Sequence, residues 1–156
     1  MFMNAKYSGR CLCGEISYSV DIEPVFTGNC HCKNCQRSSG GAFIPAMLFP
    51  EKNVVVSGAV KYYESQADSG NIHKRGFCPN CGSQLFARFG HMPGVLGIKA
   101  GTLDDASNYV PTMDFHVGSA APWDFMNPEL PSDSDDAQPF APADRLQRAS
   151  PAFAVG

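Results

Sequence analysis

The sequence predicts a mainly β domain made of small antiparallel sheets, on three observations. Short runs rich in Val, Ile, Phe and Tyr recur along the chain, bounded by Gly, Pro, Asn and Asp. No stretch has a convincing period of 3.6 residues, so amphipathic helices are not expected. The seven cysteines fall into three local clusters: Cys11-Leu12-Cys13, Cys30-His31-Cys32-Lys33-Asn34-Cys35 and Cys78-Pro79-Asn80-Cys81. Such spacings belong to strands and tight turns, not to long helices.

The elements follow in chain order. Glu15–Val20 alternates polar and apolar residues and reads as a strand. Lys33–Ser39, leading out of the middle cluster, reads as one or two helical turns. Ala42–Phe49 lies in the longest nearly apolar run, Gly41–Phe49, which is far too short to span a membrane. Asn53–Ser57 and Val60–Glu64 flank the turn signal Ser57-Gly58. Ile72–Phe77 and Ser83–Phe89 flank the third cluster, with Gly82 placed for a tight knuckle. Val95–Lys99 and Thr112–Val117 complete the set.

The chain divides at the composition shift after Trp123-Asp124-Phe125. Residues 1–126 form the expected domain, and Trp123 reads as an apolar plug that closes it. Residues 127–156 carry five prolines and five acidic residues. That segment has too little apolar surface to offset the entropy of ordering, and it reads as a mobile tail.

The 156 residues suit one domain, and 44% hydrophobic content suffices for a modest core. Twelve basic against fifteen acidic residues give a formal charge of −3. This argues against nucleic-acid partners and anionic membranes, which are held by clustered Lys and Arg. Residues 1–10 lack the apolar stretch of a signal peptide. The expected location is therefore the cytoplasm, where cysteines serve as ligands more often than as disulfides. An odd number of cysteines would also leave one unpaired.

Cysteines two apart in a strand point to one side, and Cys-x-x-Cys in a turn converges two sulfurs. Two such pairs supply the four ligands of a tetrahedral zinc, with Zn–S near ~2.3 Å. Such a site would tie the start of the chain to its middle. Structural zinc contributes about 10–16 kcal/mol to folding. Net domain stability is only about 5–15 kcal/mol, so the metal-free chain should be badly destabilised.

Seven cysteines are one short of two four-thiolate sites. Cys30, Cys32 and Cys35 can grip one metal from a short loop, leaving a fourth position for a side chain, water or substrate. Alternation points His31 away from that metal, and no spacing argument favours His73, His91 or His116. Three thiolates leave a zinc ion with a net charge of −1, so its bound water is less acidified than on three histidines. A substrate thiol suits the position better than water does. Coordination would ionise a thiol that alone is roughly a few per cent thiolate at neutral pH.

The stretches Gly9-Arg10-Cys11-Leu12-Cys13-Gly14, Cys30 to Gly40 and Phe77 to Leu85, with the closing Ser119-Ala120-Ala121-Pro122-Trp123 and Leu130-Pro131, resemble the glutathione-dependent formaldehyde-activating enzyme family, whose relatives include centromere protein V. The resemblance runs from about Lys6 to about Pro131. It implies a zinc-bound, mainly β fold. It also implies a structural zinc on Cys11, Cys13, Cys78 and Cys81 and a catalytic zinc on Cys30, Cys32 and Cys35. The implied reaction is reversible addition of glutathione to formaldehyde, a carbon–sulfur lyase activity. Where relatives often read His-Ile-aromatic, this chain has Asp114-Phe115-His116.

Lys33 and Arg37 are candidates to attract the carboxylates of a glutathione-like substrate, with ordinary surface charge as the alternative. Ser38, Ser39, Gly40 and Gly41 are candidates for a small-residue floor beneath a ligand, or simply a turn before the next strand. Lys74-Arg75 reads as a solvated strand face. Two other functions stay open: the same metal site acting on a different small substrate without glutathione, and a non-catalytic zinc-stabilised module that binds a protein. A homo-oligomer is compatible with all of these.

Overall fold

A computed structural model describes residues 5–133. The chain is mainly β and forms two sheets. Strands β1 (Tyr7–Arg10), β2 (Ser17–Val20) and β5 (Val54–Ser57) make a three-stranded antiparallel sheet in the order β1-β2-β5. The other strands are β3 (Phe26–Cys30), β4 (Ile44–Pro50), β6 (Lys61–Gln66), β7 (Ile72–Phe77), β8 (Gln84–Phe89), β9 (Val95–Lys99) and β10 (Asp114–Phe115). They form a seven-stranded sheet in the order β10-β3-β4-β9-β8-β7-β6. Its pairs are antiparallel except β10 with β3. Helix α1 (Lys33–Ser39) follows β3, as expected.

The core lies between the sheets. Ile16, Tyr18 and Val20 from the small sheet and its turn meet Met47, Phe49, Leu85, Phe86 and Ile98 from the large one. Tyr7 packs edge-on against Phe49, and Tyr18 against Phe86. Such aromatic pairs add about 0.5–1.5 kcal/mol each beyond their buried area.

Two strands were not foreseen. Tyr7–Arg10 holds only one apolar side chain, and its Gly9 is needed for close approach: a Cβ there would lie 2.2 Å from the Tyr18 hydroxyl and 2.3 Å from the Thr102 carbonyl. Phe26–Cys30 reads Phe-Thr-Gly-Asn-Cys, a poor strand former by propensity. It becomes a strand because β4 and β10 pair with its two edges.

Thr112–Val117 shortens to the two-residue β10, and Val117–Ser119 turns into a 3₁₀ helix. His116, between them, has φ +53°, the only positive φ at a non-glycine among the described residues. The described chain continues past Met126: Asp114 N–H donates to Pro131 O (2.9 Å) and Asp133 N–H to Asp114 O (3.0 Å). The rest of the expected tail lies outside the described residues. Among the described residues, no helix is long and apolar enough to cross a membrane.

Candidate metal centres and active site

The first cysteine group assembles from two turns. Cys11 and Cys13 sit in the β1–β2 turn, Cys78 and Cys81 in the β7–β8 turn. The turns are stitched by the Leu12 N–H, which donates to Ser83 Oγ (3.0 Å). Gly82, at φ +75°, allows the second turn to close, and its N–H donates to Cys78 O (2.9 Å). The Ile16 N–H points at Cys11 Sγ from 3.3 Å. The Cys11–Cys13 sulfurs are 3.5 Å apart and the Cys13–Cys78 sulfurs 3.7 Å. A tetrahedral zinc with Zn–S of ~2.3 Å has S···S edges of roughly 3.8 Å. The donor set therefore fits that ion, which when bound would staple the small sheet to the large one.

The second group lies on one continuous stretch. Cys30 ends β3, and Cys32 and Cys35 open α1. Their sulfurs lie within 4.8 Å of one another, and among the described residues no His, Asp or Glu donor joins them. Cys32 caps the helix: its sulfur accepts the Cys35 N–H (3.3 Å). The Cys32 and Cys35 sulfurs, then burial, push the Cys30 thiol well above the usual range. Cys30 and Cys35 in turn hold Cys32 far below it. Like charges this close oppose one another's ionisation, so the three sulfurs resist becoming thiolates together. A divalent cation is what lets all three act as thiolates. Both groups can hold a metal ion.

His31 turns away from the sulfurs, as alternation predicts. It is 1% exposed, with Nε2 3.0 Å from Asp114 Oδ1 and Nδ1 3.2 Å from Asp124 Oδ2. The Asp124 contact has ion-pair distance without hydrogen-bond alignment. Asn29 Nδ2 also donates to Asp114 Oδ1 (2.9 Å), and Tyr109 OH donates to Asn29 Oδ1 (2.8 Å). Gln36 Nε2 donates to His31 O (2.7 Å) and Ser119 O (2.8 Å). The ligand loop is thus anchored from beneath by a buried polar network, a role that sequence reading did not assign to Asp114, Asp124 or Gln36.

Asp124 turns inward to His31, so its neighbour Trp123 turns outward. Trp123 is 71% exposed and does not plug the core. The expectation for Lys74-Arg75 holds only for Lys74, which pairs with Glu64 at 2.6 Å. Arg75 is half-buried, donates to Ser65 Oγ (2.6 Å), and acts electrostatically on Cys35.

A cleft of about 430 Å³ opens between the end of α1 and the turn after Cys81, lined by Ser38, Ser39, Ile44, Pro45, Gly82, Ser83, Gln84, Lys99, Gly101 and Thr102. Of the residues foreseen as ligand contacts, Ser38 and Ser39 line it. Lys33 and Arg37 are exposed and do not. The Gly40 N–H donates to Gln36 O (2.8 Å) and closes the helix in the left-handed conformation. The Gly41 N–H donates to Ser39 Oγ (3.1 Å). His73 and His91 pack against Phe89, away from the cysteine groups as ligands. Lys99 and Gln84 were missed. The available signal was a lysine closing the otherwise apolar run Val95-Leu96-Gly97-Ile98.

No curated protein matches the chain. A crystal structure of a Rhodobacter sphaeroides protein, solved as a structural-genomics target, is similar in fold, with a TM-score of 0.52 and 20% identity. The match covers 81% of this chain and 99% of that one. The model of the family described as glutathione-dependent formaldehyde-activating enzyme matches residues 6–119. That span takes in both cysteine groups, helix α1 and all ten strands, and the chain belongs to that family.

Proposed function

We propose that this chain is a zinc-dependent enzyme of the carbon–sulfur lyase type, which adds a thiol reversibly to a small aldehyde such as formaldehyde. The observation that carries the reading is the convergence of Cys30, Cys32 and Cys35 without a fourth described donor, on a helix whose far end, Ser38 and Ser39, lines a cleft. The family description, which joins glutathione to formaldehyde activation, supports it. Two zinc ions per chain are expected, a structural one on Cys11, Cys13, Cys78 and Cys81 and a second on Cys30, Cys32 and Cys35. The second, when bound, would supply an exchangeable position that favours a substrate thiolate over the thiol. A thiolate ligand set of this kind suits a reducing compartment such as the cytoplasm.

The chain's own residues set the geometry. The Cys35 N–H fixes the Cys32 sulfur. His31, held by Asp114 and Asp124, and Gln36 keep the loop in register with β10. In the forward direction the substrate sulfur forms a bond to the aldehyde carbon. The C=O π pair moves to oxygen, and the proton lost from the thiol ends there, giving a hemithioacetal. The reverse breaks the C–S bond and returns the proton, so nothing is oxidised or reduced.

Metal analysis with X-ray absorption, with and without glutathione, tests this. Two zincs per chain and a higher sulfur number after thiol addition are expected. One zinc per chain, a second site closed by a protein ligand, or unchanged turnover in a folded Cys32→Ser variant would sink the reading.

A further inference from the structure

Lys99 is only 8% exposed, yet no carboxylate pairs with it among the described residues. Its one described side-chain hydrogen bond is to a neutral acceptor, Gln84 Oε1. The other end of that amide donates to Ser38 O, in the helix that carries Cys35. An ammonium offers three donors, so the amide leaves it capacity for another acceptor. Burying a cation costs several kcal/mol unless an anion compensates. Here no carboxylate supplies the compensation; the anionic group that acts on Lys99 is Cys35, at a distance, and the ammonium borders the cleft. Arg75 adds to the field on Lys99 from the neighbouring strands. The cleft volume of about 430 Å³ falls within the usual range for small-ligand sites, about 300–1,000 Å³. Its walls add the hydroxyls of Ser39 and Ser83.

We propose that Lys99, oriented by Gln84, is the anion-binding group of this cleft and selects thiol substrates that carry a carboxylate. This rests on the thiol–aldehyde reading and deepens it. The cation for the substrate comes from the strand floor, in place of the exposed Lys33 and Arg37. Gln84 is a positioning residue, because it ties the ammonium to the helix that presents the cysteines. A competing role for Lys99 is to balance the charge of the cysteine group, since Cys35 acts on it electrostatically. That role predicts altered metal retention with no selectivity between acids and neutral ligands.

The probe is 3-(methylthio)propionate, which cannot ionise at sulfur or add to an aldehyde, compared with its methyl ester. Both are titrated into zinc-loaded protein by amide NMR. The acid should perturb Ser39, Ser83 and Gly101 and bind at least about tenfold more tightly than the ester, as a charge-assisted hydrogen bond gives. Lys99→Gln should remove the preference and Lys99→Arg keep part of it, with metal content unchanged. Equal binding of acid and ester by the unmodified protein overturns the proposal, as does no binding of the acid. A preference that survives Lys99→Gln but falls with Lys33→Gln or Arg37→Gln also overturns it.

A parallel assay of formaldehyde addition uses 3-mercaptopropionate and its ester, where KM for the acid should rise about tenfold in Lys99→Gln. If the acid binds at Lys99 but neither thiol reacts, the subsite stands and the thiol–aldehyde reading fails. If both react with equal KM, the reading stands and the subsite fails.

Discussion

The two cysteine groups make unequal demands on the fold, and this difference can be measured. The first links residues 65 positions apart, Cys13 and Cys78, and joins the two sheets. The second spans only Cys30 to Cys35. On a chain-entropy estimate, a cross-link over the longer loop restricts the unfolded chain by about 4 kcal/mol, and one over the shorter loop by about 2 kcal/mol. The second figure overstates the case, because β3, the Cys32 cap and Gln36 already hold that loop. The first understates it, because zinc binding itself contributes to folding. The double variant Cys11→Ser, Cys13→Ser should therefore lose at least about 4 kcal/mol, which shifts a urea midpoint by roughly 2 M. The double variant Cys32→Ser, Cys35→Ser should lose half of that or less while losing turnover. Far-UV circular dichroism is the suitable probe, since exposed Trp123 reports little on core packing. Equal midpoint losses in the two variants would refute the division into a stapling site and a reactive one. So would a midpoint in the unmodified protein that a zinc chelator leaves unmoved.

Two further outcomes follow from named contacts. Asp114→Ala leaves the buried His31 without one of its two carboxylates and Asn29 Nδ2 without its acceptor; thermal melting should show a loss of about 1–3 kcal/mol for each buried group left unpaired, while Asp114→Asn should lose less because it can still accept. Burial pulls the Lys99 ammonium down to about 8, so the preference for 3-(methylthio)propionate over its ester should be full at pH 6 and fade as pH rises through that value. Unfolded lysines titrate at about 10.4, so between the two values the unfolded chain binds more protons and this group makes stability rise with pH. A preference that stays flat from pH 6 to 10 would contradict the buried placement of Lys99.

The two cysteine groups that could hold metal were legible because their geometry is local. Cys-x-Cys and Cys-x-x-Cys bring sulfurs together through backbone geometry alone, and the chain needs only to bring two turns face to face. Strands with alternating or continuous apolar runs were legible for the same reason. Tyr7–Arg10 and Phe26–Cys30 were not, because their strand character comes from partners: Gly9 accepts the Tyr18 ring overhead, and β3 is held by ladders on both edges. Trp123 was misjudged because residue type outweighed its neighbour. Trp123 sits in a turn closed by the Asp124 N–H to Ala121 O (2.9 Å), and that turn aims Asp124 at His31 and leaves the indole in solvent.

The same contrast separates how the site would hold metal from what it would accept as substrate. The sulfurs of Cys30, Cys32 and Cys35 come from one loop, so spacing alone assigns them a shared ion. The group that would choose a substrate is assembled from three remote pieces: Lys99 at the end of β9, Gln84 at the start of β8 and the Ser38 carbonyl in α1. None is informative by itself, since a lysine that ends a strand is usually a solvated one. Its meaning comes from burial without an acidic partner, which is a tertiary property. Cations close in sequence to the cysteines, Lys33 and Arg37, drew attention because proximity along the chain was the only measure available. The helix turns both outward and leaves its inner end to Ser38 and Ser39. Within this family fold, changing the residue at position 99 or 84 should thus alter substrate choice while leaving all seven sulfurs in place.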